Sequence, residues 1–136
     1  VYGIGYLPAY NNTVDITFIK KITNNIRPKL KSHYLESRDF IHIKDVINAL
    51  VLAMLKDCHF DVINIGSGIE TPIKKLIEII ISNFAKDIAA IEQPIEDFPN
   101  RYQADTKKAE TVLGFKHKIP LNKGIHDLIN FIINNN

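Results

Sequence analysis

The chain has 136 residues, 46% of them hydrophobic, and 17 Lys and Arg against 15 Asp and Glu give a net charge of +2. That is one domain's worth of chain with enough apolar material for a core, and the near balance argues neither for nor against an anionic partner, because a nucleic-acid binder concentrates its positive charge on one face. A single cysteine, Cys58, excludes an internal disulfide, and no apolar run is long enough to span a membrane, so a soluble, cytoplasmic chain is expected.

No basic-apolar leader precedes the first residues, and opening on Val1 is expected of a processed, truncated or excerpted chain. Residues 1–12 carry glycine, proline and the tyrosines Tyr2, Tyr6 and Tyr10 without a period, which predicts a loop whose rings rest on something. Thr13 is placed to cap a helix to about Asn24, with Ile16, Ile19, Ile22 and Ile26 at helical spacing and Pro28 to close it. The densest basic run, Lys20, Lys21, Arg27, Lys29 and Lys31, reads as a solvated face and helix-end charge, with a weak attraction for phosphate as the lesser reading. Short strands are expected at 29–33 and 40–43. A helix capped by Asp45 should follow to about Lys56, apolar on most of its surface and so covered on more than one side.

Residues 61–65 read as the best strand, β-branched and ended by Gly66. Thr71 and Pro72 predict a helix start, a hydroxyl cap followed by proline at the first helical position, with Ile73, Leu76, Ile77, Ile80, Ile81 and Phe84 facing inward. A strand at 88–91, an irregular segment over 92–104 with Pro94 and Pro99, and a short helix from Asp105 to a left-handed cap at Gly114 come next. After Pro120 a last helix packs through Ile125, Leu128, Ile129 and Ile132 before fraying at 134–136. The order of elements is that of an α/β chain without internal repeats.

Few residues point to chemistry by themselves. Gly66-Ser67-Gly68 lies between a strand and a helix as a dinucleotide fingerprint does, but Thr71 stands at the third glycine position and no acidic partner follows at the right distance. A tight turn is the favoured reading over a pyrophosphate site. Gly3-Ile4-Gly5 has no preceding strand. His33, His42, His59, His117 and His126 lack metal-ligand spacing; His42 reads as a packed or hydrogen-bonded residue rather than a base, and Cys58 as a buried structural thiol. No metal ligand set and no catalytic residue emerges.

Longer motifs carry a resemblance. Tyr2-Gly3, then Arg38-Asp39-Phe40-Ile41-His42-Ile43-Lys44-Asp45-Val46, Asn64-Ile65-Gly66-Ser67-Gly68, Ala104-Asp105-Thr106-Lys107-Lys108-Ala109 with Leu113-Gly114-Phe115, and Leu121-Asn122-Lys123-Gly124-Ile125 follow one another over nearly the whole chain. In that order they resemble the C-terminal half of the NAD-dependent nucleotide-sugar epimerases and dehydratases, the extended short-chain dehydrogenase/reductase family typified by UDP-glucose 4-epimerase. The resemblance implies an α/β fold, a C-terminal substrate-binding lobe plus the last strand and helices of a Rossmann-type fold, lacking the N-terminal dinucleotide-binding half. Residues 1–136 are then a single partial domain. It further implies that Arg38 reaches the substrate diphosphate, a role the guanidinium fork suits. Arg101 is the candidate second arginine, with a solvated or Asp97-paired side chain as the alternative. Asp39, Asp45, Asn64, Gly66, Gly68 and Asp105 fall on structural motif positions, Asp39 as a loop hydrogen-bond acceptor and Asp45 as a helix cap.

Two departures qualify what the resemblance implies. The family's Gly-Asp-Gly turn falls on Ser32-His33-Tyr34, where both glycines are replaced by residues that resist positive φ. The family's glycine-rich fingerprint, catalytic Tyr-x-x-x-Lys pair and Ser/Thr partner lie upstream of Tyr2, and neither Tyr6 nor Tyr10 has a lysine four residues on. The implied function is a partial UDP-glucose 4-epimerase-like isomerase that contributes nucleotide-sugar diphosphate binding and is inactive alone, NAD being the cofactor of the complete fold and not bound by this chain. The alternative is a non-enzymatic remnant or a nucleotide-sugar-binding interaction module. Expected partners are a UDP-sugar, weakly, and either a separate N-terminal half or a second copy meeting apolar faces of the 45–56 and 71–84 helices; nucleic acid and membrane are not expected.

Overall fold

Helix α1, Val14–Thr23, forms where Ile16, Ile19 and Ile22 share one buried face. Thr13 stands at its N-cap in extended geometry but makes no capping bond; Asp15 supplies negative charge to the first turn instead. The helix ends before Pro28 acts, because Asn25 takes a left-handed φ of 58° and the Ile26 N–H returns to the Lys21 carbonyl at 2.8 Å. Ile26, expected on the inward stripe, therefore lies beyond the helix and is exposed. This computed structural model describes residues 1–4, 13–31, 36–56, 61–84, 88–93 and 99–135. The expectations at Tyr6, Tyr10, Ser32-His33-Tyr34, Cys58, His59, Pro94 and Asp97 fall outside the described residues.

Two small sheets are present among the described residues. Strand β1, Lys29–Lys31, pairs in parallel with β4, Ile91–Gln93, while β2, Ser37–Asp39, pairs antiparallel with β3, Glu70–Pro72. The β2 strand lies earlier than the expected 40–43. It is fixed on its other side as well, since the Ser37 N–H donates to Asn100 at 3.1 Å and the Tyr102 N–H to Ser37 at 3.2 Å. Likewise β4 begins at Ile91, where the expected strand at 88–91 ends.

Helix α2, Ile43–Leu55, starts earlier than expected. His42 is its N-cap, Nδ1 accepting the Lys44 N–H at 3.2 Å. Asp45 is not the cap: its buried carboxylate accepts the backbone N–H groups of Lys118 and Ile119, both at 3.1 Å, and so ties the first turn of α2 to the segment before the last helix. Thr71 and Pro72 also depart from the sequence reading, because they lie in β3 and helix α3, Ile73–Ser82, follows with Pro72 as an N-cap that makes no side-chain bond. A π-helical turn, Ala109–Leu113, closes on Gly114 at φ 68°, as its left-handed cap requires, and helix α4, Leu121–Asn134, ends the chain.

The main core gathers Phe18, Ile19 and Ile22 of α1, Leu76, Ile77 and Ile80 of α3, and Ile125, Leu128 and Ile129 of α4 around Tyr2 and Leu30. A second cluster joins Ile41 and Ala49 to Ala109, Leu113 and Phe115. Helix α3 is thus covered by the chain itself, contrary to expectation. Helix α2 is covered on one side only: Ile47, Leu50 and Val51 are exposed, as are Met54 and Leu55 at 84% and 78%. Residues 61–65 join no ladder with any described strand, so the expected strand is absent, although Ile63 and Ile65 pack inward while Val62 and Asn64 face out. That alternation is the strand's pattern without a partner among the described strands to bond it.

Candidate functional site

A cleft of about 1330 Å³ opens between α1, β1, β2 and the segments 64–65 and 102–104. One wall is apolar, from Val14, Phe18, Leu30, Phe40 and Ile65. The cations Lys21, Lys29 and Arg38 face the same space, with the carboxylates Asp15, Glu36 and Asp39. An apolar wall beside a few convergent charged groups is the common form of a small-molecule site.

Arg38 reaches the cleft because side chains alternate across a strand. Its neighbour Ser37 turns the other way, buried, with its hydroxyl donating to Glu70. The Arg38 guanidinium is half exposed and Nη2 donates to Glu36 Oε1 at 3.1 Å. Arg101 is placed differently. Its Nε and Nη2 donate to the two Glu70 carboxylate oxygens at 2.6 and 2.7 Å, and it does not line the cleft. That fork, with Ser37 second, holds the Glu70 carboxyl down at about 2, and the carboxylate in turn raises the Arg101 pKa. The two arginines proposed for one diphosphate are therefore engaged by different carboxylates.

Asp39 is an organising residue. Oδ1 accepts the Ser67 N–H at 2.7 Å and its hydroxyl at 2.6 Å, while Oδ2 accepts the N–H of Gly68 at 2.9 Å and of Ala104 at 3.2 Å. The turn comes this close only because residue 66 is glycine: a Cβ there would sit 2.8 Å from Asp39 Oδ2 and collide with the Ala104 methyl. Gly68, at φ 72°, gives its carbonyl to Gln103 Nε2 at 2.7 Å. Asn64 is exposed and lines the cleft. Asp105 stands apart, its Oδ1 accepting the Lys107 N–H at 3.1 Å where the turn to Gly114 begins.

Lys21 and Lys29 belong to the basic run whose sequence reads as solvated charge, with attraction for phosphate as the lesser reading; Lys29 is exposed, and both line the cleft. The signal for Lys21 was present, because Val14, Thr17, Phe18 and Lys21 form one helical stripe and all four line that wall. Glu36 and Glu70, which hold the two arginines, carried no motif. Tyr2 is fully buried, edge-on to His42 with ring centroids 5.2 Å apart, and burial, with Asp45 next, pushes its phenol far up. Among the described residues no His, Cys, Asp and Glu group of three or more could hold a metal ion, and no helix is long and apolar enough to cross a membrane.

Residues 1–66 match the model of the NAD dependent epimerase/dehydratase family. The chain is 34% identical, over all of its length, to a putative UDP-glucose 4-epimerase of Methanocaldococcus jannaschii and spans 44% of that protein. A UDP-glucose 4-epimerase of Thermotoga maritima, solved with UDP-glucose, superposes with a TM-score of 0.86 at 24% identity over 98% of this chain and 43% of the other. A UDP-glucuronic acid 4-epimerase of Bacillus cereus, solved with NAD, gives 0.80 at 23% identity over 91% of this chain and 40% of the other. The chain thus spans less than half the length of these proteins and carries a corresponding part of their α/β fold. It is homologous to the NAD-dependent nucleotide-sugar epimerases.

Proposed function

We propose that this chain is the C-terminal, substrate-binding part of a UDP-glucose 4-epimerase-like enzyme, a single partial domain that holds the diphosphate of a nucleotide-sugar. The observation carrying this reading is that Arg38 lines a cleft of about 1330 Å³ together with Lys21 and Lys29 and with the apolar wall of Val14, Phe18 and Leu30. Three cations suit the phosphoryl oxygens and the wall suits a nucleoside. Arg101 joins the diphosphate only by exchanging Glu70 for it. Until then it ties the segment at 99–102 to β3.

Among the described residues, the glycine turn between Asn64 and Ile69 does not fit NAD. The turn at 66–68 offers the N–H groups of Ser67 and Gly68, but both are spent on Asp39, so no pyrophosphate can take them. Binding of NAD, and the hydride transfer it supplies when bound, belong in this reading to the part of the fold upstream of Tyr2. The exposed face of α2 and the unladdered strand pattern at 61–65 are where that part packs. Calorimetry with UDP-glucose and with NAD, on the wild type and on Arg38→Ala, tests the reading. Weak UDP-glucose binding that Arg38→Ala weakens further, with no NAD binding, is expected; micromolar NAD affinity of the isolated chain would overturn it. UDP-glucose binding absent from the chain altogether favours the alternative, a non-enzymatic remnant.

A further inference from the structure

Among the described residues three carboxylates border the cleft, and they are not equivalent. Asp39 is saturated by four donors from Ser67, Gly68 and Ala104. Asp15 is buried in the first turn of α1. Glu36 differs from both: its carboxylate accepts from Arg38 Nη2 at 3.1 Å and from no other described side chain. Its backbone is anchored independently, since its carbonyl accepts the Ile73 N–H at 3.0 Å, so the side chain can leave Arg38 without disturbing the fold.

We propose that Glu36 is an internal competitor for Arg38, an affinity-setting residue that a bound diphosphate must displace. This inference rests on the assignment of Arg38 to the diphosphate. A guanidinium has five donors in a planar fork, and Glu36 holds it through Nη2, the nitrogen common to both of its bidentate edges, so a diphosphate taking either edge in bidentate fashion competes with Glu36 for that nitrogen. The carboxylate also puts a negative charge on the residue the ligand needs. An anion able to make two charge-assisted bonds overcomes it, whereas a singly bonding anion gains little over what Glu36 already provides.

Glu36→Gln keeps the shape and a carbonyl acceptor and removes the charge. Titrating the chain with UDP, followed by amide chemical shifts, in the wild type, Glu36→Gln, Arg38→Ala and the double variant tests the proposal. Glu36→Gln is expected to bind UDP about three- to fivefold more tightly, the scale of a partly exposed ion pair, and the gain should vanish in the Arg38→Ala background. Glu36→Ala, with circular dichroism to verify folding, should shift affinity in the same direction. Unchanged or weaker UDP binding by Glu36→Gln, while Arg38→Ala still weakens it, overturns the competition and leaves the Arg38 assignment standing. A gain that persists without Arg38 also overturns it, by reducing Glu36 to a general field effect. Absent UDP binding, or binding indifferent to Arg38→Ala, removes the Arg38 assignment and this inference together.

Discussion

Asp39 Oδ1 accepts both the backbone N–H and the hydroxyl of Ser67, at 2.7 and 2.6 Å, across a sequence separation of 28 residues. With Gly68 and Ala104 on the other oxygen, one carboxylate fastens three separate segments beside the cleft. Asp39→Ala strands those donors in a partly buried site and should cost about 2–4 kcal/mol, because bonds to a charged acceptor are the strong ones and unmet donors carry a desolvation penalty. Urea unfolding measures it. A change below about 0.5 kcal/mol would mean that the carboxylate does not secure the turn.

Alanine normally stabilises a helix interior relative to glycine by about 1 kcal/mol. At Gly124 of α4 the sign should reverse, because a Cβ would collide with the Tyr2 hydroxyl and sit 2.7 Å from its ring carbon Cε2. Gly124→Ala should destabilise by about 1–3 kcal/mol through overpacking. Tyr2→Phe in the same chain should recover part of that loss, which thermal unfolding of the double variant reads directly.

His42 caps α2 through an unprotonated Nδ1, and burial, the largest cause, lowers its pKa from 6.5. Below pH 6.5 the unfolded chain takes up the proton first, so stability is present above that pH and is lost as pH falls towards the lower folded value. The slope from this one group cannot exceed about 1.4 kcal/mol per pH unit. His42→Asn retains a capping acceptor without titrating, and should be less stable at pH 7 yet flatter between pH 7 and 5. Denaturant midpoints over that range compare the two.

The exposed face of α2 should be adhesive in the isolated chain. Light scattering is expected to find self-association at tens of micromolar, with binding of a hydrophobic dye. Leu50→Lys with Met54→Lys should abolish both while changing monomer stability by no more than about 0.5 kcal/mol, since both side chains are exposed. A wild-type chain that stays monomeric and binds no dye would contradict the proposal that this face awaits a partner.

Residues at helical spacing were legible in the sequence. Ile16, Ile19 and Ile22, the α3 stripe from Ile73 to Ile80, and Ile125, Leu128 and Ile129 are all buried, and Gly114 is the left-handed cap its position implied. Those features depend on contacts a few residues apart, which periodicity encodes. Other features were decided only by tertiary structure. Asp45 looked like a cap but is spent on Lys118 and Ile119, more than seventy residues away. Arg101, a candidate for phosphate with a solvated or Asp97-paired side chain as the alternative, is forked onto Glu70, 31 residues distant, and Arg38 meets Glu36, the residue just before β2, where both line the cleft. Residues 61–65 carry a strand's composition, but a strand also needs a neighbouring backbone to bond, and none of the described strands forms a ladder with them. Composition and spacing establish what a segment can form on its own; which carboxylate meets which cation, and which strand finds a ladder, follows from how distant segments pack.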